Sequence, residues 1–276
     1  MFLIFSFLSG PIMQPMVNIA LKAARKAARI IEHASDDIHH LTVDTKSPSD
    51  FVTEIDRTAE AEIIAILSKA YPDHAIISEE TGTVGDPDLA EYTWLIDPLD
   101  GTTNFINHIP HYAVSIACMK NNRVEHAVIL DPIKQDEFTA TRGEGARLNG
   151  RRIRVKSAFT KERALFATGI PFGECPEARM DQFQVIQKSL SLGSSGMRRL
   201  GAASLDLAYV AAGRFDAFWE ANLQSWDIAA GILLVLEAGG LVADFEAGID
   251  YFESGNIVAG SPKALKQVLQ VINNSV

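Results

Sequence analysis

A chain of 276 residues with 47% hydrophobic and 22% charged side chains can bury one or two real cores and shows no compositional sign of disorder. Its net charge of −10 argues against direct nucleic-acid binding, which runs on Lys and Arg neutralising phosphates. It leaves room for phosphate chemistry in which a bound metal supplies the positive charge.

The first residues, MFLIFSFL, are apolar but too short to span a bilayer and lack the basic flank of a secretory signal. With Met13 and Met16 as alternative starts, residues 1–16 are expected to lie outside the fold. Over Val17–His40 the apolar residues Val17, Ala20, Leu21, Ala24, Ala28 and Ile31 recur at helical spacing. Asp56 precedes RTAEAEIIAILSKA and is placed to N-cap a second helix ending near Tyr71-Pro72. Strands follow in AIISEE, TWLIDP, AVSIACMK, RVEHAVILDP and EFTATRG, with Asn121-Asn122 as a hairpin turn and Gly143–Gly150 as a loop.

From Arg151 the texture changes. Strand candidates ALFATG, RFDAFWE, GLVAD and NIVAG alternate with helices MDQFQVIQKSL, SLDLAYVAAG, DIAAGILLVLEAG and PKALKQVLQVI, the third closed by Gly239-Gly240. Residues 17–150 are therefore expected as an α+β half carrying a metal site, and residues 151–276 as an α/β half completing it. Layered sheets and helices with a cleft between the halves is the natural architecture. The cysteines, Cys118 and Cys175, stand apart with no metal or disulfide spacing, which suits a reducing cytoplasm.

The densest chemical signal is WLIDPLDGTTNF, residues 94–105. Trp94-Leu95-Ile96 reads as a buried strand, and Pro98 should end its ladder at Asp97. A turn through Pro98 and Gly101 would bring Asp97, Asp100 and the Leu99 carbonyl to one side, a hard-oxygen set suited to Mg²⁺. The N–H groups and hydroxyls of Gly101-Thr102-Thr103 lie beside it and suit a phosphate. Glu79-Glu80 ends another apolar strand. Asp227 stands at the start of a helix, where its ordinary role is an N-cap.

Assembled, these residues resemble the inositol monophosphatase family. WLIDPLDGTTNF matches its first motif and WDIAAGILLVLEAGG (residues 226–240) its second, with SEE and GAAS (Gly201–Ser204) in the expected order. The resemblance implies a layered αβαβα sandwich of the sugar-phosphatase type. It implies two or three Mg²⁺ ions per site, held by Glu79, Asp97, the Leu99 carbonyl, Asp100 and Asp227. Asp50 and Thr102 would orient the attacking water. Substrate would touch Glu79, Leu99, Asp100, Gly101, Thr102, the loop of Gly201, Ala202 and Ala203, Glu220 and Asp227. The implied reaction is hydrolysis of myo-inositol monophosphate to inositol and phosphate, with lithium sensitivity and a homodimer as family traits.

Thr103-Asn104-Phe105 after DPLDGT favours this branch over relatives acting on fructose 1,6-bisphosphate, 3′-phosphoadenosine 5′-phosphate or histidinol phosphate. GSSGMRRLGAASLDLAYVAAGRFDAFWE resembles a bacterial branch with a member tied to transcription antitermination, so a transcription-factor partner is a second expectation. Lys46 and Asp44 read as loop residues, His39-His40 as a helix end, Arg198-Arg199 as weak evidence for a partner, and Asp206 as a helix-start acid, with contact to the site's edge as the alternative.

Overall fold

A computed structural model describes residues 14–35, 43–47, 50–170 and 177–275, without side chains for 43–53 and 177–179. Met1–Leu8, Met13, His39, His40 and Cys175 lie outside the described residues, as do the side chains of Asp44, Lys46 and Asp50.

Helix α1 (Pro15–Ser35) begins two residues before the expected Val17 and buries the expected stripe from Val17 to Ile31. An antiparallel ribbon of β1 (Val43–Ser47) and β2 (Asp50–Thr53) leads into α2 (Glu54–Ala70). Asp56 is therefore inside the first turn of α2 and is not its N-cap. The helix starts earlier because Glu54 and Ile55 extend its pattern, Ile55 lying in the core.

The strands β3 (Ala75–Ser78), β4 (Gly82–Val84), β5 (Tyr92–Asp100), β6 (Ala113–Lys120), β7 (Arg123–Asp131), β8 (Asp136–Thr141), β9 (Gly145–Leu148) and β10 (Arg151–Arg152) build one sheet. Their order is β10-β9-β8-β7-β6-β5-β3-β4, and only the β3–β5 pair is parallel. A short helix, α3 (Thr102–Ile106), follows β5. Asn121 and Asn122, at φ 50° and 59°, make the expected hairpin turn. The stretch 143–150, expected as a loop, contains β9. Its four residues have no strand pattern of their own and are recruited by pairing with β8.

Next come β11 (Leu165–Thr168), α4 (Glu177–Ser191), β12 (Gly196–Arg198), α5 (Ala203–Ala211), β13 (Ala217–Glu220), α6 (Ser225–Glu237), β14 (Leu241–Ala243), α7 (Tyr251–Ser254), β15 (Ile257–Gly260) and α8 (Pro262–Asn273). Their five strands form a second sheet in the order β12-β11-β13-β15-β14.

The cores follow from strand alternation. On β5, Trp94 and Ile96 face α1 and α2, while Leu95 faces α5 and α6. On β13, Phe218 faces α5 and α6, while Trp219 faces α4 and α8. Each such buried side chain stabilises the fold by about 1.5–3 kcal/mol. Helix α6 has no polar face along Ile228–Val235, because it lies between the two sheets. The layers run helices, eight-stranded sheet, helices, five-stranded sheet, helices: the αβαβα sandwich expected of a sugar phosphatase. Among the described residues, no helix is long and apolar enough to cross a membrane.

Candidate active site

Strand β5 does not end at Pro98. It runs on to Asp100 through a bulge, with Asp97 opposite Ser115 and Asp100 opposite Ala113, so β5 carries one residue more than β6. Pro98 has no N–H for the ladder, and the Leu99 N–H donates instead to the Asp97 carboxylate at 3.0 Å. The bulge re-aims the chain into Gly101, whose φ of 95° and whose neighbours exclude a side chain. A Cβ there would lie 3.1 Å from the His111 carbonyl oxygen and 3.3 Å from that of Gly201.

Two neighbouring elements bring the other acids in. The Glu79 N–H donates to the Ile96 carbonyl at 3.2 Å, so Glu79 leaves β3 beside Asp97. The Ser115 hydroxyl, opposite Asp97, donates to the Trp226 carbonyl at 3.3 Å and ties the start of α6 to the same place. Asp227 is the third residue of α6 and is not its N-cap, a position held by Gln224. Its carboxylate accepts the Gln224 N–H at 2.7 Å, the reciprocal half of a capping box. Asp100 accepts the N–H of Ser204 at 2.8 Å and also its hydroxyl, which joins this turn to the start of α5.

These carboxylates crowd one another. Burial first, then Glu79, Asp100 and Asp227, hold the Asp97 carboxyl well above its ordinary range. Asp227 is raised by burial, by Asp100 and by Glu79. Burial lifts Asp100 to about 6 against the two Ser204 bonds, which favour its charge. Among the described residues no three of these side chains already close around one point as a ligand cage. The donor set still fits a hard divalent cation. It is all oxygen, carries several like charges and has no His or Cys.

Groups raised in this way predict a pH dependence for the metal-free protein. Between the ordinary carboxylate range near 4 and the raised values, the folded state binds more protons than the unfolded one. Stability therefore falls as pH rises through about 6 for Asp100 and about 8 for Glu220. Thermal unfolding in EDTA should show this decline. Millimolar Mg²⁺ should flatten it, and a metal-free melting temperature that rises from pH 5 to pH 8 would contradict it.

Thr102 is the first residue of α3. Its hydroxyl lies 2.9 Å from Asp56 Oδ1 and 3.0 Å from the Leu99 carbonyl oxygen. Among the described side chains, the aspartate in reach of Thr102 is Asp56 on α2, buried at 2% exposure. The resemblance assigns that place to Asp50, which lies on β2 with its side chain outside the described residues. The available signal is VTEID running straight into a helix, which from sequence reads only as a cap.

Gly201 (φ 82°), Ala202 and Ala203 lead into α5 directly beside this turn. The Asn104 amide bridges the two segments, donating to the carbonyls of His111 at 2.7 Å and Leu200 at 2.8 Å. Glu220 ends β13, and burial, then Asp100, raise it to about 8. Asp206 stands in the first turn of α5 as expected, but it is fully buried, and its Oδ1 has no partner among the described residues. Burial and the charges of Glu220 and Asp100 hold it well above the carboxylate range.

Gly169 leaves room for the Glu220 carboxyl, which a Cβ would overlap. Gly169→Ala should therefore displace Glu220. On the expectation that Glu220 meets a substrate hydroxyl, KM for a polyol phosphate should rise several-fold, while p-nitrophenyl phosphate, which has no hydroxyl to recognise, keeps its kcat/KM. Equal losses on both substrates would contradict this.

A family model described as the inositol monophosphatase family matches residues 12–276. The Nus factor SuhB of Pseudomonas aeruginosa is 54% identical over 261 residues, covering 94% of this chain and 96% of that protein. The Nus factor SuhB of Escherichia coli K12 is 48% identical over 257 residues, covering 93% and 95%. Among solved structures, the extragenic suppressor protein SuhB of Bartonella henselae superposes with a TM-score of 0.91 at 41% identity, covering 95% of this chain and all of that one. The inositol monophosphatase of Anabaena sp. PCC 7120 superposes with a TM-score of 0.81 at 31% identity, covering 94% and 95%.

Proposed function

The chain belongs to the inositol monophosphatase family, and from that premise we propose that it is a Mg²⁺-dependent phosphatase hydrolysing myo-inositol monophosphate to inositol and phosphate. The observation that carries the reading is the meeting of four acids from β3, the β5 bulge and α6 beside the Thr102–Asp56 pair.

Glu79, Asp97, the Leu99 carbonyl, Asp100 and Asp227 would hold the metal. When bound, Mg²⁺ offsets the charge of the phosphate dianion and lowers the pKa of water at the site. The residues supply the rest. Thr102 has one proton to donate. With that proton engaged in the hydrogen bond to Asp56, the hydroxyl oxygen's lone pairs can accept a hydrogen bond from the attacking water and aim it. The N–H groups at Gly101 and at the start of α6 present partial positive charge to the phosphate. Gly201, Ala202, Ala203 and Glu220 would hold the polyol, Glu220 accepting from a hydroxyl.

A panel of inositol 1-phosphate, fructose 1,6-bisphosphate, 3′-phosphoadenosine 5′-phosphate and histidinol phosphate, ranked by kcat/KM across millimolar Mg²⁺, tests the substrate. Inositol phosphate ranking below another member would reassign it. No Mg²⁺-dependent activity on any of them would end the phosphatase reading. A cytoplasmic homodimer inhibited by Li⁺ belongs to the same proposal.

The relatives named Nus factor SuhB favour a second role beside catalysis, as a protein that binds the transcription machinery. The net charge of −10 fits a protein partner better than direct RNA binding. A pull-down with transcription factors that recovers none of them would remove this role.

A further inference from the structure

Helix α2 carries two buried acids one turn apart, Asp56 and Glu60, on the same face. The first meets Thr102. The second is fully buried at 0% exposure and stands in none of the site's motifs. Its Oε2 accepts the Glu80 N–H at 2.9 Å, and its Oε1 accepts the Thr81 N–H at 2.7 Å.

Those two amides follow Glu79 directly. Strand β3 ends at Ser78, so the N–H groups that follow must find partners beyond its ladder. The first, on Glu79, goes to the Ile96 carbonyl, and the next two go to the Glu60 carboxylate. Three successive amides are thereby fixed, and with them the direction in which the Glu79 side chain leaves the strand. A carboxylate in a low-dielectric interior is costly unless its oxygens are bonded. Charge-assisted bonds to two backbone amides are the strong kind that offsets that cost. A buried acid so placed braces a turn.

We propose that Glu60 is the positioning residue for Glu79: it locks the turn after β3 so that Glu79 faces Asp97. With Asp56 one helical turn away, α2 then sets the distance between the metal-side acid and the Thr102 hydroxyl. This rests on the reading of Glu79 as a metal ligand, and the test separates the two.

Glu60→Gln keeps size and shape but faces one backbone N–H with an NH₂ group, so one bond is lost. Mn²⁺ binding to the substrate-free chain, followed by electron paramagnetic resonance, should weaken by roughly 10–100-fold, the usual cost of losing a partner that orients a ligand. kcat should fall with it while KM for the phosphate ester changes little. In a Glu79→Gln background the same substitution should add almost nothing, because Glu60 acts through Glu79. A merely structural role would lower the melting temperature and leave Mn²⁺ affinity unchanged. That outcome, with normal binding by the wild type, removes the brace and leaves the phosphatase reading intact. A wild type that binds no Mn²⁺ removes the ligand role of Glu79 and the brace with it. Hydrogen exchange on the metal-free wild type supplies a check that no folding defect can blur. The Glu80 and Thr81 amides should be protected, and exchange at the rate of an open loop would overturn the proposal.

Discussion

Asp97→Asn should lower the Mg²⁺-dependent kcat by more than about 100-fold and at the same time raise the melting temperature of the metal-free protein. The first effect has a floor from comparison. Losing a partner that only orients a metal ligand typically costs ~10–100-fold, and Asp97 is proposed as a ligand itself. The substitution is nearly isosteric. The amide oxygen of the substituted side chain can still accept the Leu99 N–H, so the bulge persists and the loss reports on charge. The second effect has the opposite sign because Asp97 is buried among Glu79, Asp100 and Asp227, each raising its pKa by repulsion. An amide is neutral without having to hold a proton among those acids, so the substitution removes the cost of the raised carboxyl. A functional site that stores repulsion is stabilised when it is disarmed. Steady-state kinetics and thermal unfolding in EDTA give the two readouts from one preparation. Retained activity would sink the whole metal-site reading. Lost activity with a lowered metal-free melting temperature would point to a folding defect.

Most of the layering was legible in the sequence because its cores are built by periodicity. The stripe of α1, the alternation of β5 and the wholly apolar run of α6 each state where the element lies. The pairing of β9 was not legible, since four residues without a strand pattern are ordered only by β8. The first motif was legible as chemistry but not as geometry. Pro98 suggests the end of a strand, whereas the strand passes through it as a bulge, because the Asp97 carboxylate takes the N–H that the ladder leaves. Asp56 and Glu60 stay hidden for a different reason. Acids in an amphipathic helix ordinarily face solvent, and nothing local says that these two face inward. Only the chain brought back by β3 and α3 gives them partners. Asp227 shows the converse. Its helix-start position is plain from the sequence, but the cap is shared with Gln224, and the carboxylate bonds backward to that residue's N–H.

The choice between Asp50 and Asp56 as the aspartate that works with Thr102 can be settled by kinetics. Asp56 Oδ1 lies 2.9 Å from the Thr102 hydroxyl, while the resemblance points to Asp50. Thr102→Ala and Asp56→Asn should each lower kcat by about 10²–10⁴-fold, the usual range for a group that handles a proton in the transition state. The double variant should be little worse than either single one, because a hydroxyl and the carboxylate that accepts its hydrogen bond act as one unit. Thr102→Ser, which keeps the hydroxyl, should recover most of the rate. Mn²⁺ affinity should stay near wild type in Thr102→Ala, which separates water positioning from ligand loss and distinguishes this series from Asp97→Asn. The Leu99 carbonyl makes the assignment sharper. The Thr102 hydroxyl reaches it at 3.0 Å as well, so without Asp56 the single proton turns to Leu99 and occupies the oxygen proposed for the metal. Asp56→Ala, which leaves no acceptor in that place, should therefore weaken Mn²⁺ binding slightly, where Thr102→Ala does not. Asp50→Asn is the deciding control. A full loss there, with Asp56→Asn active, would return the role to Asp50 and leave the Thr102–Asp56 bond as a fastening between α3 and α2.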